Sequence, residues 1–228
     1  MRPTDLRLLK ETKLYAELGS EAAERIFDRT MAQTVPRGAT VFRQGDMPEY
    51  VHLLLSGQIA LIAEDERLGP TIIEFLPAGE MFVAPAGLLQ VPYLVTAQAI
   101  EESRILMLPA EDLRRLIMNE PAFAVAVTRA VSRHWRQLVR QIKELKLKSA
   151  SQRLGSYLIA KAPTREGATS YRLTEERKMI AAKLGMTPES LSRAFAQLKY
   201  AGVSGRGRTI EIADVSKLRE HCRFEEGV

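Results

Sequence analysis

Cysteine is almost missing from this chain: among 228 residues only Cys222 carries a thiol. One thiol excludes an internal disulfide framework and any iron–sulfur cluster held by four cysteines of the same chain. Histidine is nearly as scarce, and His52, His134 and His221 fall in different segments. A cupin-like metalloenzyme needs clustered histidines and a carboxylate at strand spacing, which this distribution does not supply. No nucleophile with partners, glycine-rich phosphate loop or paired-carboxylate motif is present, so the chain reads as a non-enzyme. Apolar runs approaching the roughly 18 residues of a membrane span are absent. So is a charged-then-apolar leader with a cleavage site. A soluble, cytoplasmic protein with no membrane partner is the expectation.

What the chain does carry is a mild basic excess, 33 Lys and Arg against 28 Asp and Glu, for a formal charge of +5. That suits nucleic acid without demanding it. The segment Leu173 to Ile212 makes the case for DNA. A helix is expected from an N-cap at Thr174 through Ile180 to Leu184, closed by Gly185, which suits a left-handed turn residue. Met186 would plug the gap before a second helix, which opens at Thr187 with Pro188 in its first position, where a missing N–H does no harm. Leu191, Ala194, Phe195 and Leu198 lie at helical spacing for packing on the first helix. Glu189, Ser192 and Arg193, at i, i+3 and i+4, share one face near the helix start. Arginine can fork onto guanine, glutamate can accept from cytosine, and serine is short enough to approach thymine. Beyond Gly202, the stretch Gly205-Arg206-Gly207-Arg208 followed by Thr209-Ile210-Glu211-Ile212 reads as a hairpin wing. Arg206 and Arg208, with Thr187 and Ser190, are the candidate phosphate contacts.

The N-terminal part has a different texture. Short helices are expected at Asp5 to Lys10 and Ser20 to Thr30. From Met31 to Met107, apolar and β-branched runs alternate with turn signals such as Arg37-Gly38, Gln44-Gly45-Asp46, Ser56-Gly57 and Pro77-Ala78-Gly79-Glu80. Closely spaced short strands point to a small antiparallel barrel or roll, the natural place for a pocket. A helical region follows Pro109, breaks near Asn119-Glu120-Pro121, and continues from Phe123 to about Lys146. Phe123, Val127, Val131, His134, Leu138, Gln141 and Leu145, with Ile142 beside them, recur at spacings of four and three. Such a stripe predicts a seam between two copies of the helix, with His134 as a polar register-setting residue. Ser149 to Lys161 forms a further helix. The expected fold is α+β: a β-roll domain with N-terminal helices over 1–108, a dimerisation helix region over 109–147, and a winged helix-turn-helix domain over 148–228.

In this order of parts the chain resembles the Crp/Fnr superfamily of bacterial transcription regulators. Pro36-Arg37-Gly38 with Val41-Phe42-Arg43-Gln44-Gly45-Asp46 resembles the family's entry into its cyclic-nucleotide-binding-like roll, and Leu53-Leu54-Leu55-Ser56-Gly57 its next hairpin. Glu189-x-x-Ser192-Arg193 resembles the Fnr branch. The resemblance implies a homodimeric activator, with RNA polymerase as a further partner. The implied target is double-stranded DNA carrying an inverted pair of TTGAT-like half-sites about one helical turn apart. Arg193 would read the guanine, Glu189 the complementary strand, and Ser192 a thymine.

What the roll would sense is decided by departures from the family. A cyclic-nucleotide site needs an arginine paired with serine or threonine for the phosphate, and none stands near Tyr93 to Thr96; burying that anion without a cation is costly, so cyclic AMP is not expected. The haem-based carbon monoxide sensor uses cysteine and histidine where this chain has Val83 and Pro85. An iron–sulfur cluster is excluded by the cysteine count. Tyr93-Leu94-Val95-Thr96-Ala97-Gln98-Ala99 resembles the nitric-oxide-responsive denitrification (Dnr-type) branch, for some of which haem is implied. A haem would need His52, His134 or a methionine such as Met81 as ligand. Met81, Phe82, Tyr93 and Val95 are the candidate effector-pocket residues. Two alternatives stay open: a regulator without effector, set by its own abundance, and an architectural DNA binder without sequence preference.

Overall fold

The computed structural model describes residues 2–27, 30–65, 69–82, 84–173 and 176–223. The chain divides into two compact units, Met1–Gln137 and Leu138–Val228. The first unit opens with helices α1 (Pro3–Lys10), α2 (Lys13–Leu18) and α3 (Ser20–Phe27). The strands of the roll follow: β1 (Met31–Val35), β2 (Thr40–Phe42), β3 (Tyr50–Ser56), β4 (Gln58–Ala63), β5 (Thr71–Pro77) and β6 (Met81–Phe82). After α4 (Ala84–Leu89) come β7 (Thr96–Ala99) and β8 (Ser103–Pro109), then α5 (Ala110–Asn119) and the long α6 (Pro121–Leu147). Among the described residues no helix is long and apolar enough to cross a membrane.

The strands pair antiparallel in two four-stranded sheets, ordered β1-β8-β3-β6 and β2-β7-β4-β5. Gly57 makes the tight passage from β3 to β4 possible: its φ is +90°, and a Cβ there would lie 2.4 Å from Ser103 Oγ and 2.6 Å from the Glu102 carbonyl. Only glycine fits both constraints. β3 is buried along almost its whole length because both its faces are covered. Val51, Leu53 and Leu55 pack with Leu9, Phe27 and Leu108 under the helices, whereas Leu54 joins Phe42, Ile59, Leu76 and Ile105 inside the roll.

In the first unit two helices escape the sequence-based expectation. Thr12 caps α2 by accepting from the Tyr15 amide. α4 folds from the apolar stretch after β6, where no helix was anticipated. Val83, which stands where the haem-based carbon monoxide sensor has a ligand and cannot itself bind iron, lies outside the described residues.

The expected seam on α6 is corrected by burial. Phe123 and Val127, assigned from the sequence to an interface between two copies, are 1% and 2% exposed and belong to the core of their own unit, with Ala126 between them. Val131 packs partly against the same core, and His134 lies 3.6 Å from the buried carboxylate of Glu74 on β5. Gln137, one turn on, donates to that carboxylate. The roll therefore covers the first part of the stripe that periodicity singled out, Phe123 to His134, whereas Ile142 and Leu145 stay exposed. Val125, Trp135, Val139, Ile142, Leu145 and Leu147 are the large apolar side chains left exposed along the helix, and of these Ile142 and Leu145 belong to the expected seam.

The second unit continues from the end of α6 into α7 (Ala150–Lys161), β9 (Thr169–Arg172), α8 (Arg177–Lys183), α9 (Pro188–Leu198), a 3₁₀ turn (Lys199–Ala201), β10 (Val203–Arg206), β11 (Thr209–Ile212) and α10 (Val215–Cys222). Its sheet has the order β10-β11-β9. Leu154, Leu158, Ile180, Leu191, Leu198 and Leu218 build the core. Cys222 packs so closely on Gly155 that a Cβ at that glycine would come within 2.2 Å of its sulfur. Burial pushes the thiol up to about 11, away from reactivity at neutral pH.

One buried ion pair ties α1 to the roll. Arg104 on β8 donates from Nε and Nη2 to the two oxygens of Asp5, each at 2.8 Å, and from Nη1 to Thr34 Oγ1. Asp5 is 2% exposed and also accepts from the Arg2 amide, closing the first turn of α1. The Arg104 hydrogen bonds hold the Asp5 carboxyl at about 2, below its ordinary 3.8. Because the folded value is depressed, the stabilisation is present above pH 4 and disappears as pH falls through 2, an effect of about 2 kcal/mol. Asp5→Asn should lower stability to urea by about that amount at pH 6, and should flatten the loss of stability between pH 4 and 2. Unchanged acid sensitivity in the variant would assign the acid transition to other carboxylates.

Candidate nucleic-acid interface

The helix-turn-helix is built from α8 and α9. The expected N-cap of the first helix, Thr174, and its neighbour Glu175 lie outside the described residues; α8 begins after Glu176, whose side chain makes no capping bond. Gly185 adopts φ +61° and turns the chain, while the Met186 amide returns to the Ala181 carbonyl. Thr187 caps α9 by accepting from the Ser190 amide, and Pro188 opens the helix. Leu191, Ala194 and Leu198 are buried. The same helix therefore turns Glu189, Ser192 and Arg193 to solvent.

Local bonds fix that face. Arg193 Nη2 donates to Ser190 Oγ at 3.1 Å, and Ser190 Oγ is 3.2 Å from the donating hydroxyl of Thr187. Ser190, expected from the sequence to meet phosphate, is half-buried and engaged in steering Arg193. Ser192 donates to the Pro188 carbonyl. The Glu189 carboxyl is lowered first by its own backbone amide, then by Thr187 and the charge of Arg193, so it is an ionised acceptor at neutral pH.

The wing is β10 and β11, extended by β9 through the pairing of Ile210 with Tyr171. Arg206 and Arg208 flank the exposed tip at Gly207. Two residues at the start of α8, not singled out by the sequence, reach this tip. Arg177 lies over the Phe195 ring at 4.5 Å and donates to the Gly207 carbonyl, and Glu176 pairs with Arg208 at 3.3 Å. Neither contact follows a motif, since each joins residues about thirty positions apart.

In the roll, the four candidate effector residues separate. Phe82 and Tyr93 are buried inside it with Phe42 and His52, Val95 packs partly against them, and Met81 faces the other core beneath the helices. Neighbours in a strand point to opposite faces, so Met81 and Phe82 cannot line one pocket. Phe42 stacks on Tyr93 with centroids 3.9 Å apart, and the His52 ring lies 5.4 Å from Phe42 and 5.2 Å from Phe82. The Tyr93 hydroxyl donates to the Tyr50 carbonyl; burial, with Asp46 and Glu49 adding, pushes it up to about 12. Burial lowers His52 to about 4, so this imidazole is neutral. Thr96 donates to the Glu64 carboxylate at 2.7 Å. Among the described residues no three His, Cys, Asp or Glu side chains gather as a metal site.

Residues 32–120 match the cyclic nucleotide-binding domain, and residues 152–221 the Crp-like helix-turn-helix domain. The transcriptional activator protein FnrA of Stutzerimonas stutzeri is 30% identical over 183 residues, covering 78% of this chain and 75% of that protein. The cyclic AMP receptor protein of Thermus thermophilus is 24% identical, with 93% of this chain and 97% of that protein covered. Among solved structures, a CooA variant from Carboxydothermus hydrogenoformans has the same fold, with a TM-score of 0.74 at 22% identity over 94% of this chain and 97% of that one. With a roll, a long helix and a helix-turn-helix in the family's order, the chain belongs to the Crp/Fnr family of DNA-binding transcription regulators.

Proposed function

We propose that two copies of this chain pair along α6 and read an Fnr-box-like inverted repeat, one recognition helix per half-site, to activate transcription. The observation that carries it is the exposed triad Glu189, Ser192 and Arg193 on a helix whose opposite side is buried. Arg193 reads guanine, Glu189 the complementary strand and Ser192 a thymine; Thr187, Arg206 and Arg208 meet phosphates. Activation is supported by the FnrA relative, a transcriptional activator, and would require a surface for RNA polymerase.

Pairing uses the outward stripe of α6, Val125, Trp135, Val139 and Ile142, of which Trp135 is 63% exposed. Leu145 and Leu138 flank it; Leu145 also lies over Gly185. Arg129, Arg136 and Lys143, exposed and seven residues apart, run beside the stripe. Pairing brings these like charges together, so salt should tighten the dimer while loosening DNA binding.

The roll is the effector domain of the family, and its interior here is closed by rings. The candidate axial ligands do not converge on a haem-sized space: His52 is packed between Phe42 and Phe82, His134 faces Glu74, and Met81 lies in another core. Haem therefore does not fit these residues, and a nitric-oxide response through haem has only the Tyr93–Ala99 resemblance behind it. A cyclic phosphate beside Thr96 would meet the Glu64 carboxylate. The second reading, a regulator set by its abundance, is favoured by this packed interior.

Arg193→Ala should relax preference for the half-site guanine by roughly 5- to 100-fold, as a lost bidentate contact of about 1 to 3 kcal/mol requires. Arg208→Ala should weaken all sequences alike and reduce the salt slope by about one. Equal losses on specific and random duplexes for Arg193→Ala would remove it from base readout. Since Trp135 is the only tryptophan, its emission should shift to the blue as concentration rises through the dimer range, at lower concentration in high salt. Trp135→Ala should sediment as a monomer; a dimer as tight as wild type would place the interface elsewhere.

A further inference from the structure

Glu176 and Arg177, at the start of α8, both touch the wing but act differently. Arg177 clasps the tip mechanically, through the Gly207 carbonyl and the face of Phe195. Glu176 instead occupies the charge of Arg208: its carboxylate oxygen lies 3.3 Å from Nη2. The Arg208 and Glu176 side chains are 44% and 69% exposed, so a DNA phosphate can reach the pair. A phosphate arriving at Arg208 meets a carboxylate already there. Either the guanidinium leaves Glu176, or two like charges share one cation; both cost free energy.

We infer that Glu176 sets the DNA affinity of this regulator by competing with the DNA backbone for Arg208, so that docking of the wing exchanges an internal ion pair for an external one. It rests on the proposal above that Arg208 meets a phosphate. The exchange is sequence-independent, because the wing positions and does not read. Its size is limited by solvent exposure: pairs this open contribute modestly, which corresponds to roughly a two- to five-fold change in binding. Glu176 makes no side-chain capping bond to α8, so Glu176→Gln removes no hydrogen bond at the helix start. The Arg177 clasp keeps the wing tip in place meanwhile.

A double-mutant cycle tests the exchange, using the full-length protein, a labelled inverted-repeat duplex and fluorescence anisotropy. Glu176→Gln should bind two- to five-fold more tightly, on specific and random duplexes alike, and the gain should shrink as salt is raised. In an Arg208→Ala background the same substitution should have no effect. Glu176→Ala should act in the same direction, and melting curves report whether each variant is folded. An equal gain in both backgrounds would mean that Glu176 repels DNA at large and would overturn the competition, as would no gain in either. If Arg208→Ala alone leaves affinity and salt slope unchanged, the phosphate role of Arg208 fails first and the competition with it.

Discussion

The burial of one face of α6 constrains the rest of this molecule. Phe123, Ala126 and Val127 are sealed into the core under the roll, and a few turns on Glu74 receives Gln137 and faces His134. Removing a buried phenylalanine costs roughly 3 to 5 kcal/mol, so the rotation of the helix about its axis is not adjustable. Once that face is assigned, Val125, Trp135, Val139 and Ile142 have to look outward. A stripe of that kind is costly to leave in water, and a second copy of the helix is the economical cover. The packing of one roll against its own helix thereby leaves the outward stripe as the surface on which the proposed pairing rests.

The DNA-binding unit shows the same economy on a smaller scale. Leu191, Ala194 and Leu198 hold α9 in its core, and the Thr187–Ser190–Arg193 chain of hydroxyls and guanidinium orders the exposed side. Pre-ordered arginine loses less freedom on binding than a loose one. The wing is different. Its arginines are exposed, and one of them is already neutralised within the protein. On the proposed reading, base readout is built rigidly and phosphate contact is built with a cost, a combination that would favour discrimination over bulk affinity.

Local signals carried most of the fold. Gly185, Thr187 and Pro188 announced the turn and second helix of the DNA-binding motif, and glycine-punctuated runs announced the roll, because these depend on residues near in sequence. The seam on α6 did not follow, since apolar residues recur on two faces of that helix and periodicity cannot say which neighbour covers which. Phe123 and Val127 were claimed by the roll and Trp135 by solvent. Partners far apart in the chain were equally hidden: Asp5 with Arg104, Glu74 with His134, Glu176 with Arg208. The opposed faces of Met81 and Phe82 were readable from strand alternation alone. What closes the roll was not, because Phe42, His52, Phe82 and Tyr93 come from four separate segments.

Two-fold reading of DNA by a pair of recognition helices is the central proposal for this protein. The direct measurement is binding to an inverted repeat whose half-sites are about one helical turn apart, compared with the same half-sites separated by five further base pairs. A half-turn insertion moves one half-site to the opposite face of the duplex without altering a single base contact. Affinity for the inserted duplex should drop to that for a lone half-site. Equal affinity for both duplexes would contradict the account, because it would mean that each DNA-binding unit docks independently of its partner.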